Sequence, residues 1–145
     1  MALTRATFRF EAFGHPNITA THPTTLEITT ENHVSQRGDC IVGVRANCSP
    51  VKLPQTIQHA LSARAERAIL RIRAEGQRFE VAGEGSPRLT FQDSKEMVVR
   101  KSMFASDRTI MVNADKAAKD IPRVMLVLLR DPEQRIEVEI ELVRL

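Results

Sequence analysis

The sequence predicts a mainly β chain, α+β by content, folded as an antiparallel, jelly-roll-like sandwich. Three observations carry this. Polar and apolar residues alternate through several separate stretches, as in half-buried strands. Only a few short stretches look helical. The strands follow one another with few crossover helices, which favours a sandwich over a doubly wound sheet. About nine strands and two or three short helices are expected. With 145 residues, a single domain over 1–145 is expected, long enough to bury a core without disulfide or metal.

The elements follow in order. Ala6, Phe8, Phe10 and Ala12 alternate with Thr7, Arg9 and Glu11 in a first strand, and Leu26 and Ile28 alternate with Thr25, Glu27 and Thr29 in a second. Cys40 to Val44 is a continuous apolar run and reads as a central strand covered on both faces. Over 54–65, Ile57, Ala60, Leu61 and Ala65 share a helical face, with Pro54 at the first turn. A hairpin follows. Ala68, Leu70, Ile72 and Ala74 form one face of its first strand, and Glu75-Gly76 supplies a two-residue turn. This register sets Ile72 opposite Phe79, Leu70 opposite Val81, Arg71 opposite Glu80 and Arg67 opposite Glu84. Arg73 facing Arg78 is its one like-charge pair.

Leu89 and Phe91 continue the strand pattern, and Met97 to Val99 and Ile110 to Val112 are short apolar runs. Residues 114–120 read as a polar helix. The wholly apolar Val124 to Leu129 reads as a short buried helix, started by Asp120 and Pro122 and stopped by Asp131-Pro132. Ile136, Val138, Ile140 and Leu142 against Glu137, Glu139 and Glu141 close the chain with its clearest strand. No internal repeat is read.

Lys and Arg number 21 against 18 Asp and Glu, a net charge of +3, which permits an anionic partner without demanding one. Residues 49–145 hold the whole excess. The densest cluster is Arg64, Arg67, Arg71, Arg73 and Arg78, offset only by Glu66 and Glu75, and its row Arg67, Arg71 and Arg73 reads as the solvated face of the hairpin, neutralised by Glu80 and Glu84. There are six Phe and no Tyr or Trp, so base stacking is poorly supplied. No apolar run reaches membrane-spanning length and no signal-peptide core opens the chain, so a cytoplasmic location is expected. Cys40 and Cys48 are then expected to be thiols, with no metal site built on them.

Two constellations stand out. The segment from Gly14 to Glu27 holds His15, Asn17, His22, Thr24, Thr25 and Glu27, and Asp39 follows in Arg37-Gly38-Asp39-Cys40. One reading makes these loop side chains that satisfy backbone groups, with Asp39 capping a turn. The other makes His15 or His22 an acid–base group partnered by Glu27 or Asp39. A metal held by the two histidines and a carboxylate is poorly served by their spacing, which places them on opposite faces of a straight strand. The second constellation is Arg100-Lys101-Ser102 with Arg108-Thr109, cations beside hydroxyls that suit phosphate oxygens. Here too a solvated loop is the alternative. No Gly-rich phosphate loop, His-Glu-x-x-His or Gly-x-Ser-x-Gly is present.

Three blocks carry a resemblance. They are Gly14-His15-Pro16-Asn17-Ile18 through His22-Pro23-Thr24-Thr25-Leu26-Glu27-Ile28-Thr29, then Arg37 through Val44, then Val99 to Ser102 with Arg108-Thr109 and Ala114 to Ala118. Together they resemble an archaeal family of conserved proteins of unknown function. The resemblance implies an archaeal cytoplasmic protein with a jelly-roll-like sandwich, and it implies no activity or cofactor. It groups His15, Asn17, His22, Thr24, Thr25, Glu27, Arg37, Asp39, Arg100, Ser102 and Arg108 as polar motif positions.

Three functions follow as expectations. The first is binding of RNA or another phosphate-bearing partner, such as one at the translation machinery, through Arg37, Arg100, Lys101, Ser102, Arg108 and Thr109 with Asn17, Thr24 and Thr25 in support. The second is a small hydrolase or lyase using His15, His22, Glu27 and Asp39 on an anionic metabolite. The third is a structural subunit or homo-oligomer that meets a protein partner, with Val124 to Leu129 as the contact.

Overall fold

The computed structural model describes residues 4–35, 37–63 and 67–144. Eight strands form two four-stranded sheets. The strands are β1 (Thr4–Phe13), β2 (Thr25–Thr29), β3 (Ile41–Gly43), β4 (Arg67–Ala74), β5 (Gln77–Glu84), β6 (Glu96–Arg100), β7 (Thr109–Met111) and β8 (Arg135–Arg144). The helices are α1 (Gln55–Ser62) and α2 (Arg123–Leu129), each preceded by a short 3-10 turn, Pro50–Lys52 and Ala118–Asp120. The first sheet runs β1-β8-β4-β5 and the second β3-β2-β6-β7. Apolar faces from both sheets build one core, including Phe10, Leu70, Ile72, Val138 and Ile140 from the first and Leu26, Ile28, Met97 and Val99 from the second.

The sandwich expected from the sequence is present, and the hairpin has the expected register, from Arg67 opposite Glu84 to Arg73 opposite Arg78. Its turn places Glu75 at φ 46° and Gly76 at φ 81°, both left-handed, as a two-residue hairpin turn requires. The arginine row of β4 finds its acids mainly on β8: Arg71 meets Glu139 (2.8 Å) and Glu141 (3.0 Å), and Arg73 meets Glu137 (3.1 Å).

Several expectations need correction. Among the described residues the strands number eight, because Leu89 and Phe91 are buried in a connection that forms no strand. The Cys40 to Val44 run supplies an edge strand, β3, which pairs with β2 alone and in parallel; β7 joins β6 the same way. This edge is buried because Phe13 and Val44 exchange backbone bonds (2.7 and 2.8 Å), tying β1 to the end of β3. Of residues 114–120 only 118–120 are helical, as a 3-10 turn. Asp120 accepts from the Ala117 N–H within that turn, and Pro122, not Asp120, stands at the start of α2. α2 buries Met125 and Leu129 but exposes Val124 and Val127, the latter to 72%. Arg64, Ala65 and Glu66, named in the arginine cluster and the first helix face, lie outside the described residues.

The fold also contains the repeat that the sequence reading missed. The Phe13–Val44 bridge has a twin in Glu84–Val112, both antiparallel. Asn47 Oδ1 accepts from the Glu11 N–H (2.9 Å), and Asp115 Oδ1 accepts from the Ala82 N–H (2.9 Å). Ala20 and Phe91 adopt φ 49° and 55°, and Arg45 and Asn113 both adopt φ 51°. The chain is two copies of one backbone plan, strand–strand–strand–turn–helix–strand. Each copy contributes two strands to each sheet, related by a pseudo-twofold axis through the β4–β8 and β2–β6 pairs.

The twin glycines illustrate the constraint. A Cβ at Gly85 would lie 2.1 Å from Leu61 O, and one at Gly14 would lie 2.5 Å from Leu129 O, the matching end of the other helix. Gly85→Ala is expected to destabilise by about 2 kcal/mol or more. Gly76→Ala, which meets only open space, should cost about 1 kcal/mol from its left-handed φ. Urea unfolding of the two variants checks this; equal costs would contradict it.

Candidate functional site

Alternation along β2 and β6 turns Leu26, Ile28, Met97 and Val99 to the core, and therefore Thr25, Glu27, Thr29, Glu96, Val98 and Arg100 to the outer face of the second sheet. Glu27 is nonetheless only 6% exposed. Arg108 reaches over it from the β6–β7 connection, with Nη1 3.4 Å from Glu27 Oε1 and 2.5 Å from Glu96 Oε2. The Cys40 thiol donates weakly to Glu27 from the other side (3.9 Å). Burial and the neighbouring Glu96 push Glu27 up to about 7, and Arg108 only partly opposes them. Burial beside Glu27 and Asp39 pushes the Cys40 thiol up to about 12, so Cys40 stays a thiol. Arg108 itself is raised: its desolvation is outweighed by the Glu96 hydrogen bond and the Glu27 charge.

Arg100 lies at the other end of this face, paired in register with Thr25. Its Nε donates to Thr109 Oγ1 (2.9 Å) and its Nη2 to Ser106 Oγ (3.3 Å). Its guanidinium lies over the Phe104 ring, 5.0 Å from the centroid. Among the described residues no carboxylate pairs with Arg100, and its pKa is lowered by burial and by Arg108. Phe104 is 62% exposed and Met103 beside it 63%. Phe104 is the residue sequence reasoning missed; the cation four residues before it, Arg100, was the available signal.

The two constellations meet. The Lys101 N–H donates to Thr24 O (3.0 Å), and the Thr21 and His22 N–H groups donate to Asp39 O (2.9 and 3.1 Å). Glu27, Thr25, Arg100 and Arg108 thus share one face, with Lys101 and Thr24 at its rim. Lys101 Nζ is 3.9 Å from Asp120. Thr109 is fully buried and serves Arg100 and Ser106, and the Ser102 hydroxyl accepts from the Phe104 N–H (3.3 Å). Arg37 is exposed.

The histidines do turn-building work. His22 Nδ1 accepts from the N–H groups of Thr24 (3.2 Å) and Thr25 (3.1 Å), and His15 Nδ1 from Asn17 (3.0 Å). Their twins do the same with oxygen: Asp93 Oδ1 accepts from Lys95 and Glu96, and Ser86 Oγ from Arg88. Asn17 donates from its side chain to Val34 O (3.2 Å). Among the described residues no hydrogen bond joins His15 or His22 to the carboxylate of Glu27 or Asp39, and no three His, Cys, Asp or Glu are grouped as a metal site needs. No helix among them is long and apolar enough to cross a membrane.

Fold and face together define a small sandwich-like β protein with a charged outer sheet face. The chain matches the family described as Domain of unknown function (DUF371) over residues 10–143. It is 38% identical over 129 residues to Uncharacterized protein MJ0206 of the archaeon Methanocaldococcus jannaschii, covering 89% of this chain and 95% of that relative. The chain belongs to this family of unknown function, as the resemblance of its sequence implied.

Proposed function

We propose that the chain binds RNA or another phosphate-bearing partner on the outer face of the second sheet, at its Arg100 end. The observation that carries this reading is Arg100. It is a half-buried guanidinium held by hydroxyls and an exposed aromatic ring in place of a carboxylate. A cation so placed has donors left for phosphate oxygens. Lys101 adds a second cation, and Phe104 offers a surface on which a base can stack. Arg108 is the weaker contributor in this state, since Glu27 and Glu96 already hold it.

The test is fluorescence anisotropy of a labelled single-stranded RNA oligonucleotide across a salt series. Log affinity should fall linearly with log salt, by about 0.7 per phosphate contact. Arg100→Gln and Lys101→Ala should each weaken binding about tenfold and flatten that slope by about one contact. Arg135→Ala, on the outer face of the first sheet, should change neither. Salt-independent affinity, or equal losses from all three variants, would contradict the reading.

A further inference from the structure

The internal repeat supplies a control for the charged face. Glu27 and Val98 stand at twin positions on β2 and β6, and their N–H groups make twin bonds, to Cys40 O and to Arg108 O (both 2.8 Å). Cys40 and Arg108 are therefore twins. By the same correspondence Glu96 matches Thr25 and Arg100 matches Thr29. One copy of the plan builds this backbone with threonines and a thiol, and the axis position accepts a valine. The fold thus does not require Glu96, Arg100 and Arg108 in the second copy, nor a carboxylate at the Glu27 position of the first. Burying Glu27 also carries a desolvation cost, which the valine at the twin position avoids. Charges that the fold does without, gathered beside the candidate phosphate site, point to a ligand.

Resting on the reading above, we propose that Arg108 is a further phosphate-binding residue, held in reserve by a Glu27–Glu96 latch that the incoming phosphate displaces with uptake of one proton. Arg108 lies between the two carboxylates, while the Arg100 guanidinium, at the other end of the same face, has hydroxyl partners and no carboxylate among the described residues. A phosphate on Arg100 would draw Arg108 toward it and relieve the repulsion between the two cations. The two carboxylates would then face each other without their shared cation, and a proton from solvent takes its place between them. No covalent bond is made or broken. The groups facing Glu27 are Glu96 and Arg100 of β6, Arg108, and the Cys40 thiol before β3, which Asp39 flanks in turn. Lys119 and Asp120 belong to the 3-10 turn packed on β2. Of these, Glu27 and Glu96 alone share one cation by direct contact.

Titration calorimetry with the same RNA oligonucleotide, in buffers of differing ionisation enthalpy, counts the proton. Above pH 7 the account expects uptake approaching one proton, and affinity that falls by up to about tenfold per pH unit. Glu27→Gln should abolish the uptake and flatten that pH dependence. Arg108→Gln should weaken binding at pH 6, where Glu27 already holds its proton. Circular dichroism of both variants separates these effects from misfolding. RNA binding without proton uptake, or uptake that survives Glu27→Gln, overturns this inference and leaves the parent reading standing. No RNA binding at any salt overturns both.

Discussion

Replacing Glu139 with alanine should cost about 3 kcal/mol of stability. Glu139 stands opposite Arg71 at the pseudo-twofold axis of the first sheet and is only 4% exposed, although it points away from the core. It accepts from Arg9 Nε (2.6 Å) and Arg71 Nη1 (2.8 Å), with Arg73 3.8 Å away. The Arg9 hydrogen bond leads the causes that hold its carboxyl below the usual range. Removing it leaves Arg71, itself mostly buried, short of a partner, and stranding one member of a buried ion pair is what makes such changes expensive. Arg71 keeps Glu80 and Glu141, which places the cost at the lower end of that range. Glu137, on the same strand and face, is half exposed and meets Arg73 at 3.1 Å. Glu137→Ala should cost below about 1 kcal/mol. Because the Glu139 pKa is depressed, its contribution is present at neutral pH and lost as pH falls through the folded value. Urea unfolding at pH 7 compares the two variants. Equal losses would mean that burial does not set the strength of this network.

Glu27→Gln should do the opposite and make the protein more stable in alkaline solution. Folded Glu27 keeps its proton up to about pH 7, whereas the unfolded chain releases it near the ordinary glutamate value. Between those two values the folded state holds more protons, so its stability falls as pH rises. The integrated loss is at most about 3 kcal/mol. Glutamine removes the titration and keeps the shape. The variant should match the parent below the ordinary glutamate value, gain on it as pH rises to about 7, and keep that advantage at pH 8. Urea midpoints below the ordinary glutamate value and at pH 8 decide. A variant that falls behind at pH 8 would mean that Arg108 holds Glu27 ionised.

The hairpin was legible because everything that sets its register is local. Glu75-Gly76 fixes the turn, and the alternation on either side fixes which face is buried. The role of β3 was not legible. A continuous apolar run reports burial on both faces, but not whether a sheet neighbour or, as here, a bridge from β1 provides the cover. The repeat was hidden because the two copies conserve backbone roles more than residues. Val44-Arg45-Ala46-Asn47 and Val112-Asn113-Ala114-Asp115 are its faint trace, each holding a left-handed residue and an acceptor for a β-strand N–H. In the site, His22 and Asp39 belonged to a recognisable segment, and loop-building work for the histidines was one of the two readings. The Glu27–Arg108 contact joins a strand of one copy to a connection of the other, and no spacing in the chain announces it. Phe104 was misjudged for a related reason. Most phenylalanines of this chain serve the core, and the β6–β7 connection turns Phe104 outward.

With no Trp and no Tyr, the protein itself absorbs almost nothing where nucleic bases absorb. The most direct test of a phosphate-bearing partner is therefore the near-ultraviolet spectrum of the protein purified from its native cells at low salt. The expected result is a nucleic-base band that disappears on a high-salt wash and is absent from the Arg100→Gln variant. A featureless spectrum from both proteins, before and after the wash, would contradict it.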